Sequence, residues 1–232
     1  MANANLSSVL GPPRRQTFIL TDSDAAFAIP EWAQGGNGLV YVSGTAGGGS
    51  GGNYGSAAGV NTAAGGSSGA SMNRTVMLIA AAVTTMQVVI GLGGSAVTSS
   101  GTTDLAGNAA GDTSVTVGSV SITLGGGSGG GVYATTGLAG AIGGGAMGTP
   151  ITIGSLATGL PGVGGQVSTN RGMGGSGPFG NGGGPGVVLG TAPSGIGYGS
   201  GGAGASTNGG AGSATSGAGA SGILILTFEE GS

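Results

Sequence analysis

Residues 217–228 decide the fold that we expect, because Gly-Ala-Gly-Ala-Ser-Gly runs there directly into Ile-Leu-Ile-Leu-Thr-Phe. The first half is too rich in glycine for a helix, since glycine costs about 1 kcal/mol relative to alanine in a helix interior. The second half is a run of apolar and β-branched residues, which is typical of a strand. A closing strand needs earlier strands to pair with. The glycine-dominated chain before it is therefore predicted to belong to a folded all-β protein.

Glycine is the main building material, with 62 of 232 residues against about 7% in average proteins. Glycine lets backbones approach closely, but it loses more conformational entropy on folding than any other residue. An ordered glycine region therefore needs dense backbone hydrogen bonding. The runs lack the Gly-X-Y triplet of collagen. The sequence predicts short strands that frame packed polyglycine or polyproline II-like segments, in a β-sandwich-like fold without significant helix.

Several further stretches have the pattern of strands. We expect strands at 17–21, 27–30, 39–44, 76–83, 86–92 and 222–229, and a hairpin of 112–117 with 119–124. Residues 53–72 are expected to form a loop, and 150–153 and 186–189 are short apolar islands within the glycine region. The chain divides into an N-terminal attachment arm at 1–16 and a glycine-rich β domain at 17–232. Pro12-Pro13, near the end of the arm, forbids helix there.

Residues 76–92 are uncharged and mostly apolar, which is at the short limit for a membrane span. Their richness in β-branched residues and the polar pair Thr84-Thr85 favour two buried strands instead. We therefore expect no membrane insertion. Residues 1–33 also lack the basic and apolar regions of a signal peptide, which predicts assembly in the cytoplasm.

Charged residues make up only 5% of the chain, and the four cations are all arginines. Nucleic-acid binding is not expected, because phosphate neutralisation needs clustered basic residues. Arg14 and Arg15 form the only basic pair and are predicted to contact a partner in an assembly. So few charges also favour a surface that is largely buried by other subunits.

The chain contains no histidine and no cysteine, which excludes Ser-His-Asp, Cys-His and His-metal sites. Paired carboxylates could serve a glycosidase, and Asp22 with Asp24 could bind Ca²⁺. The carboxylates lie in predicted turns or near Glu229-Glu230, however, where they are typical of turn-forming and solubilising residues. We therefore predict no enzymatic activity, no metal site and no cofactor.

Aromatic residues in or beside glycine loops are the remaining candidates for recognition, since aromatics at loop tips suit protein or sugar binding. These candidates are Tyr54, Tyr133, Phe179 and Tyr198. The alternative is that each ring covers a patch of glycine backbone. Trp32 is predicted to be a core or interface anchor.

The order of these pieces resembles the glycine-rich domain of tailed-bacteriophage tail and fibre proteins. The matching features are a strand pair that ends in a glycine block at 27–49, a Val-Val-Ile-Gly-Leu-Gly-Gly strand end at 88–94, a Gly-Asp-Thr-Ser strand that leads to glycines at 111–130, and the closing segment 217–229. The resemblance covers residues 25–230. It implies a virion protein in which strands frame packed glycine segments.

The resulting hypothesis is a structural virion protein, displayed as a fibre, spike or tip component, with other capsid or tail proteins as partners. The resemblance implies a homo-oligomer, with a trimer favoured, and host-receptor binding through the glycine-framed loops. The alternative is a capsid decoration protein that stabilises the head shell through its arm. A glycine-rich cell-surface or ice-binding protein is a third class, for which a secretion signal would be expected.

Overall fold

The structure is a computed structural model that describes residues 14–36, 38–55, 61–134, 152–153, 156–157, 172–207, 209–210 and 212–230. Strands are the dominant regular structure, and the described residues contain no helix longer than the three-residue 3₁₀ turn Glu31–Ala33. The all-β prediction is confirmed. The strands are β1 Arg15–Leu20, β2 Asp24–Ala28, β3 Gly38–Thr45, β4 Asn53–Tyr54, β5 Asn61–Ala63, β6 Ser71–Leu78, β7 Thr85–Val89, β8 Thr98–Ser99, β9 Thr113–Val117, β10 Val120–Leu124, β11 Val132–Ala134, β12 Thr152–Ile153, β13 Leu156–Ala157, β14 Gly180–Asn181, β15 Val187–Val188, β16 Gly190–Thr191, β17 Ile196–Gly197, β18 Ala205–Ser206, β19 Ala214–Thr215 and β20 Ile223–Glu230.

The longer strands form two four-stranded antiparallel sheets, in the orders β1-β20-β3-β6 and β10-β9-β7-β2. We call them the first and the second sheet. Alternate residues point inward, as strand geometry requires. The inward residues of both sheets join one apolar core, which includes Val40, Val42, Leu224, Leu226 and Phe228 from the first sheet and Met86, Val88, Val115, Ile122 and Leu124 from the second. Each such side chain contributes about 1.5–3 kcal/mol when it is fully buried.

The sandwich continues directly into a bundle of glycine-rich segments. Six of its strands each run into one segment, and these segments are 46–52 after β3, 64–70 before β6, 91–97 after β7, 105–112 before β9, 125–131 after β10 and 216–222 before β20. Residues 172–176, 182–186, 191–195 and 199–206 complete the described part of the bundle. The predicted framing of packed glycine segments by strands is therefore found, although 64–70, which was predicted as loop, belongs to the bundle.

Segment 46–52 lies at the centre of the bundle, and its N–H groups donate to three neighbours in rotation. Residues 47 and 50 donate to segment 105–112, residues 48 and 51 to segment 216–222, and residues 49 and 52 to segment 64–70. Its carbonyl groups accept hydrogen bonds from segments 125–131, 91–97 and 199–206. A period of three residues with no internal hydrogen bonds is that of a polyproline II helix. The backbone of the central segment is thus hydrogen-bonded to six neighbouring segments.

Glycine is required where these backbones touch. A Cβ atom built on Gly219 would fall on the carbonyl oxygen of Gly48, and one built on Gly48 would fall on that of Ser200. Serine occupies bundle positions where its hydroxyl oxygen accepts a hydrogen bond from a backbone N–H. Ser67 accepts from Ser128 at 2.8 Å, and Ser216 accepts from Val97 at 3.0 Å.

Candidate functional site

The two ends of the molecule differ in composition and in connectivity. We call the end of the sandwich remote from the bundle the proximal end, and the end of the bundle remote from the sandwich the distal end. Arg14 and Glu230 meet at the proximal end, where the Glu230 N–H donates to the Arg14 carbonyl at 3.0 Å. Arg14, the first described residue, therefore lies at the proximal end. The predicted arm boundary at residue 16 falls inside β1, and residues 1–13 lie outside the described residues.

Short strands and side-chain hydrogen bonds fix the distal end. Two three-stranded sheets, ordered β15-β18-β4 and β16-β19-β8, join chain segments far apart in sequence. Asn53 is fully buried, and its Nδ2 donates to the carbonyls of Ala214 and Val97. The buried Thr207 hydroxyl donates to the carbonyl of Gly101 at 2.9 Å. The side chains of Asn53 and Thr207 therefore hold the loops at this end through hydrogen bonds to loop carbonyls.

Leu189 is the most unusual residue of the distal end. It follows β15, its N–H donates to the Ser206 carbonyl at 2.8 Å, and its φ of 61° lies in the left-handed region. This conformation costs a residue with a Cβ about 1–2 kcal/mol. The side chain is nevertheless 42% exposed, beside the exposed Val188. No sequence pattern marks a leucine for positive φ, so Leu189 could not be predicted from the sequence.

The distal end carries very little charge. Asp104 is the only charged residue within the described stretches 98–104, 187–191, 209–210 and 212–215, and its Oδ1 accepts a hydrogen bond from the Gly55 N–H at 2.9 Å. The remaining exposed groups there are hydroxyls such as Thr102 and Thr103, with the apolar Val188 and Leu189. A partner at this surface would be recognised through apolar contacts and neutral hydrogen bonds.

The predicted recognition aromatics do not share one surface. Tyr54 in β4 is fully buried, so it is not an exposed recognition residue, and its burial agrees with the alternative that the ring covers glycine backbone. Phe179 and Tyr198 are half-buried and linked by a 3.0 Å bond from the Tyr198 N–H to the Phe179 carbonyl. They lie near the junction with the sandwich, since Gly199 contacts Thr45. Tyr133 lies in β11, and its side chain is outside the described residues.

The predicted assembly residues lie on or near the first sheet. Arg15 pairs with Glu229 at 3.4 Å, and Arg74 approaches the same carboxylate at 3.8 Å while it stacks over the Tyr41 ring at 4.7 Å. Arg15 therefore has a partner within the chain. Trp32 is half-buried against the apolar core, in agreement with the core alternative of its prediction. Arg14 is exposed at the proximal end.

Three exposed apolar side chains stand on the outer face of the first sheet, at its two opposite edges. These are Ile19, Val76 and Leu78, which are 66%, 45% and 74% exposed. They stand on β1 and β6, the two edge strands, and face away from the core. The strands β20 and β3 separate Ile19 from Val76 and Leu78, and the Arg15–Glu229 ion pair lies on the same face, so these three side chains form no continuous patch.

The carboxylates that could have formed a metal or acid-base site make local contacts. Asp24 Oδ1 accepts from the Ala26 N–H at 2.9 Å, and Asp22 Oδ2 accepts from the Thr21 hydroxyl at 3.2 Å. Within the described ranges, no three Asp, Glu, His or Cys residues are grouped as metal ligands.

No helix in the described part of the chain is long and apolar enough to cross a bilayer. Residues 76–92 instead contain the end of β6 and all of β7, with a turn between them. Two strands with a break are found as predicted, but β6 already ends at Leu78, β7 ends at Val89, and alternate residues of both strands are exposed rather than buried.

The sequence matches no protein-family model, and no curated protein matches it.

Proposed function

We propose that this chain is a structural protein of a tailed-phage virion, held by its proximal end and displaying its distal loops to the host surface. The observation that carries this proposal is the separation of the two ends. Arg14 and Glu230 lie together at the proximal end, while anchored, nearly uncharged loops occupy the opposite end of a backbone-bonded bundle. A rigid scaffold that presents loops at its tip is a common arrangement in binding proteins.

The role that we assign is binding and assembly, with no catalytic step. The partners would be other virion proteins at the proximal end and a host surface molecule at the distal end. Copies of this chain would associate through the outer face of the first sheet, whose two edges expose the apolar side chains of Ile19, Val76 and Leu78. The localisation that follows is the virion.

The same face also favours a second candidate, a capsid decoration protein. In that role the outer face of the first sheet would pack on the head shell, and the arm at 1–16 would reach neighbouring subunits. The two candidates differ in copy number and in position on the particle.

Quantitative mass spectrometry of purified virions, with immunogold labelling, separates these candidates. A few copies at the tail or at one vertex would support the displayed appendage. Hundreds of copies over the shell would replace it with the decoration role. If no particle contains the chain, both virion proposals fail.

A second experiment tests the distal end directly. The purified protein is added to host cells before infection, and adsorption of the virus is measured. We expect the wild-type protein to reduce adsorption by occupying the receptor. Undiminished adsorption at saturating protein, together with no binding to the cells, would contradict the host-binding role.

A further inference from the structure

We infer that the sandwich and the bundle together form a tension-carrying unit, which resists force applied between the distal and proximal ends. The inference rests on the direction of the hydrogen bonds and is independent of the proposed function. Neighbouring segments of the bundle are joined side to side by backbone bonds, such as Gly94 N–H to Gly48 O and Gly51 N–H to Gly217 O. Polyproline II segments have no internal hydrogen bonds that could stretch along their axes.

Force applied to a distal loop is transmitted to the sandwich along two covalently continuous stretches of chain. The loop at 98–104 is joined to segments 91–97 and 105–112, and these continue into β7 and β9 of the second sheet. The bonds that hold these stretches are lateral. They include Gly107 N–H to Gly130 O and Ala110 N–H to Gly127 O, both at 2.9 Å. An axial pull must therefore shear several such bonds together before the loop can move.

The proximal end is also loaded in shear by an axial pull. β20 lies between β1 and β3 and pairs with both over most of its length. Its glycine-rich continuation, 216–222, is bonded to the central segment at Gly48 and Gly51. A force on Glu230 directed away from the distal end must slide β20 and segment 216–222 together past the neighbouring strands and segments.

A pull between the two described termini acts in a different way. Arg14 and Glu230 are adjacent, and Arg15 is the partner of Glu229 in the β1–β20 ladder. Force that separates them opens the ladder from one end, so its bonds break one after another. The same molecule should therefore be strong along its long axis and weak between Arg14 and Glu230.

Single-molecule force spectroscopy tests this difference, and the absence of native cysteine makes engineered handles unambiguous. The axial variant carries Thr102→Cys with Glu230→Cys, and the matched control carries Arg14→Cys with Glu230→Cys. These positions are exposed. At one loading rate we expect the axial rupture force to exceed the control by at least about twofold, because several bonds break together.

Equal forces in the two geometries, or a lower axial force, would overturn the inference. Circular dichroism and thermal melting of each variant establish first that it is folded. If Thr102→Cys disturbs the loop, Thr103→Cys provides a second exposed handle in the same loop. Because the purified protein alone is measured, the result does not depend on where the chain acts.

Discussion

The backbone N–H of Asn108 donates a 2.7 Å hydrogen bond to the hydroxyl oxygen of Ser50, which is fully buried in the central segment. The Ser50 N–H in turn donates to the Asn108 carbonyl at 3.0 Å. The Ser50 hydroxyl therefore supplies the acceptor for the Asn108 N–H, which a glycine at position 50 could not provide. This explains why serine interrupts the glycine block at its centre.

Ser50→Ala should lower the free energy of unfolding by about 1 kcal/mol, since it removes the acceptor of the Asn108 N–H from a partly buried hydrogen bond. Urea denaturation measures this change. The matched control is Ser95→Ala, at an exposed position of a neighbouring segment, which should change stability by less than about 0.5 kcal/mol. Equal effects of the two substitutions would contradict the role of the hydroxyl.

Gly48→Ala should destabilise the protein by more than about 4 kcal/mol, or prevent folding, because the new Cβ meets the backbone carbonyl of Ser200. Gly184→Ala is the control, because a Cβ there has no atom within 4 Å and the backbone is not left-handed. It should be neutral or stabilise by about 0.4–1 kcal/mol. Thermal melting of both variants checks the contrast. A tolerated Gly48→Ala would mean that the bundle is packed more loosely.

Amide hydrogen exchange should be slowest in the central segment. The N–H groups of residues 47–52 each donate to a neighbouring segment, so their exchange should require global unfolding. The exposed loop residues Thr102 and Thr103 should exchange much faster. Mass-spectrometric exchange measurements resolve these regions. Rapid exchange throughout the central segment in the assembled state would refute ordered glycine packing.

Phe228 and Glu229 are neighbours in β20 on opposite faces, and their substitutions should differ strongly. The Phe228 ring is fully buried, 5.8 Å from that of Phe18, so Phe228→Ala should cost about 3–5 kcal/mol. Glu229→Gln breaks ion pairs to arginines that are more than half exposed, and it should cost less than about 1 kcal/mol. Guanidinium denaturation compares them. If Glu229→Gln lowered the free energy of unfolding more than Phe228→Ala, the outer face of this sheet would stabilise it more than the core face does.

Side-chain patterns predicted the sandwich well, because its strands bury alternate apolar residues. Residues 39–44 and 223–228 lie within β3 and β20, and the 113–124 hairpin turns at Gly118, whose φ is 59°. For the bundle, the sequence predicted that glycine segments pack side by side, but not which segments are neighbours. This is because its segments are held by backbone groups that are the same in every residue.

The candidate site was harder to predict for the same reason. Tyr54 was a candidate for recognition because it lies beside a glycine block, yet it is fully buried. Asn53 is buried through pairing with Leu105 and with residues far along the chain. Such contacts depend on the lateral order of the segments, which local sequence does not encode. The conformation of Leu189 likewise follows from its tertiary surroundings.

Leu189→Gly should separate stability from host binding. Glycine adopts positive φ without the Cβ penalty, so the variant should melt at a temperature no lower than the wild type. It also removes the exposed apolar side chain of the distal end, and we expect its ability to block virus adsorption to fall about tenfold or more if that side chain is buried by a receptor. Leu92→Ser, on the flank of the bundle and 74% exposed in the wild type, is the control and should block adsorption normally. Blocking by Leu189→Gly at wild-type strength would exclude Leu189 from the contact, whereas a wild-type protein that never blocks would contradict host binding itself.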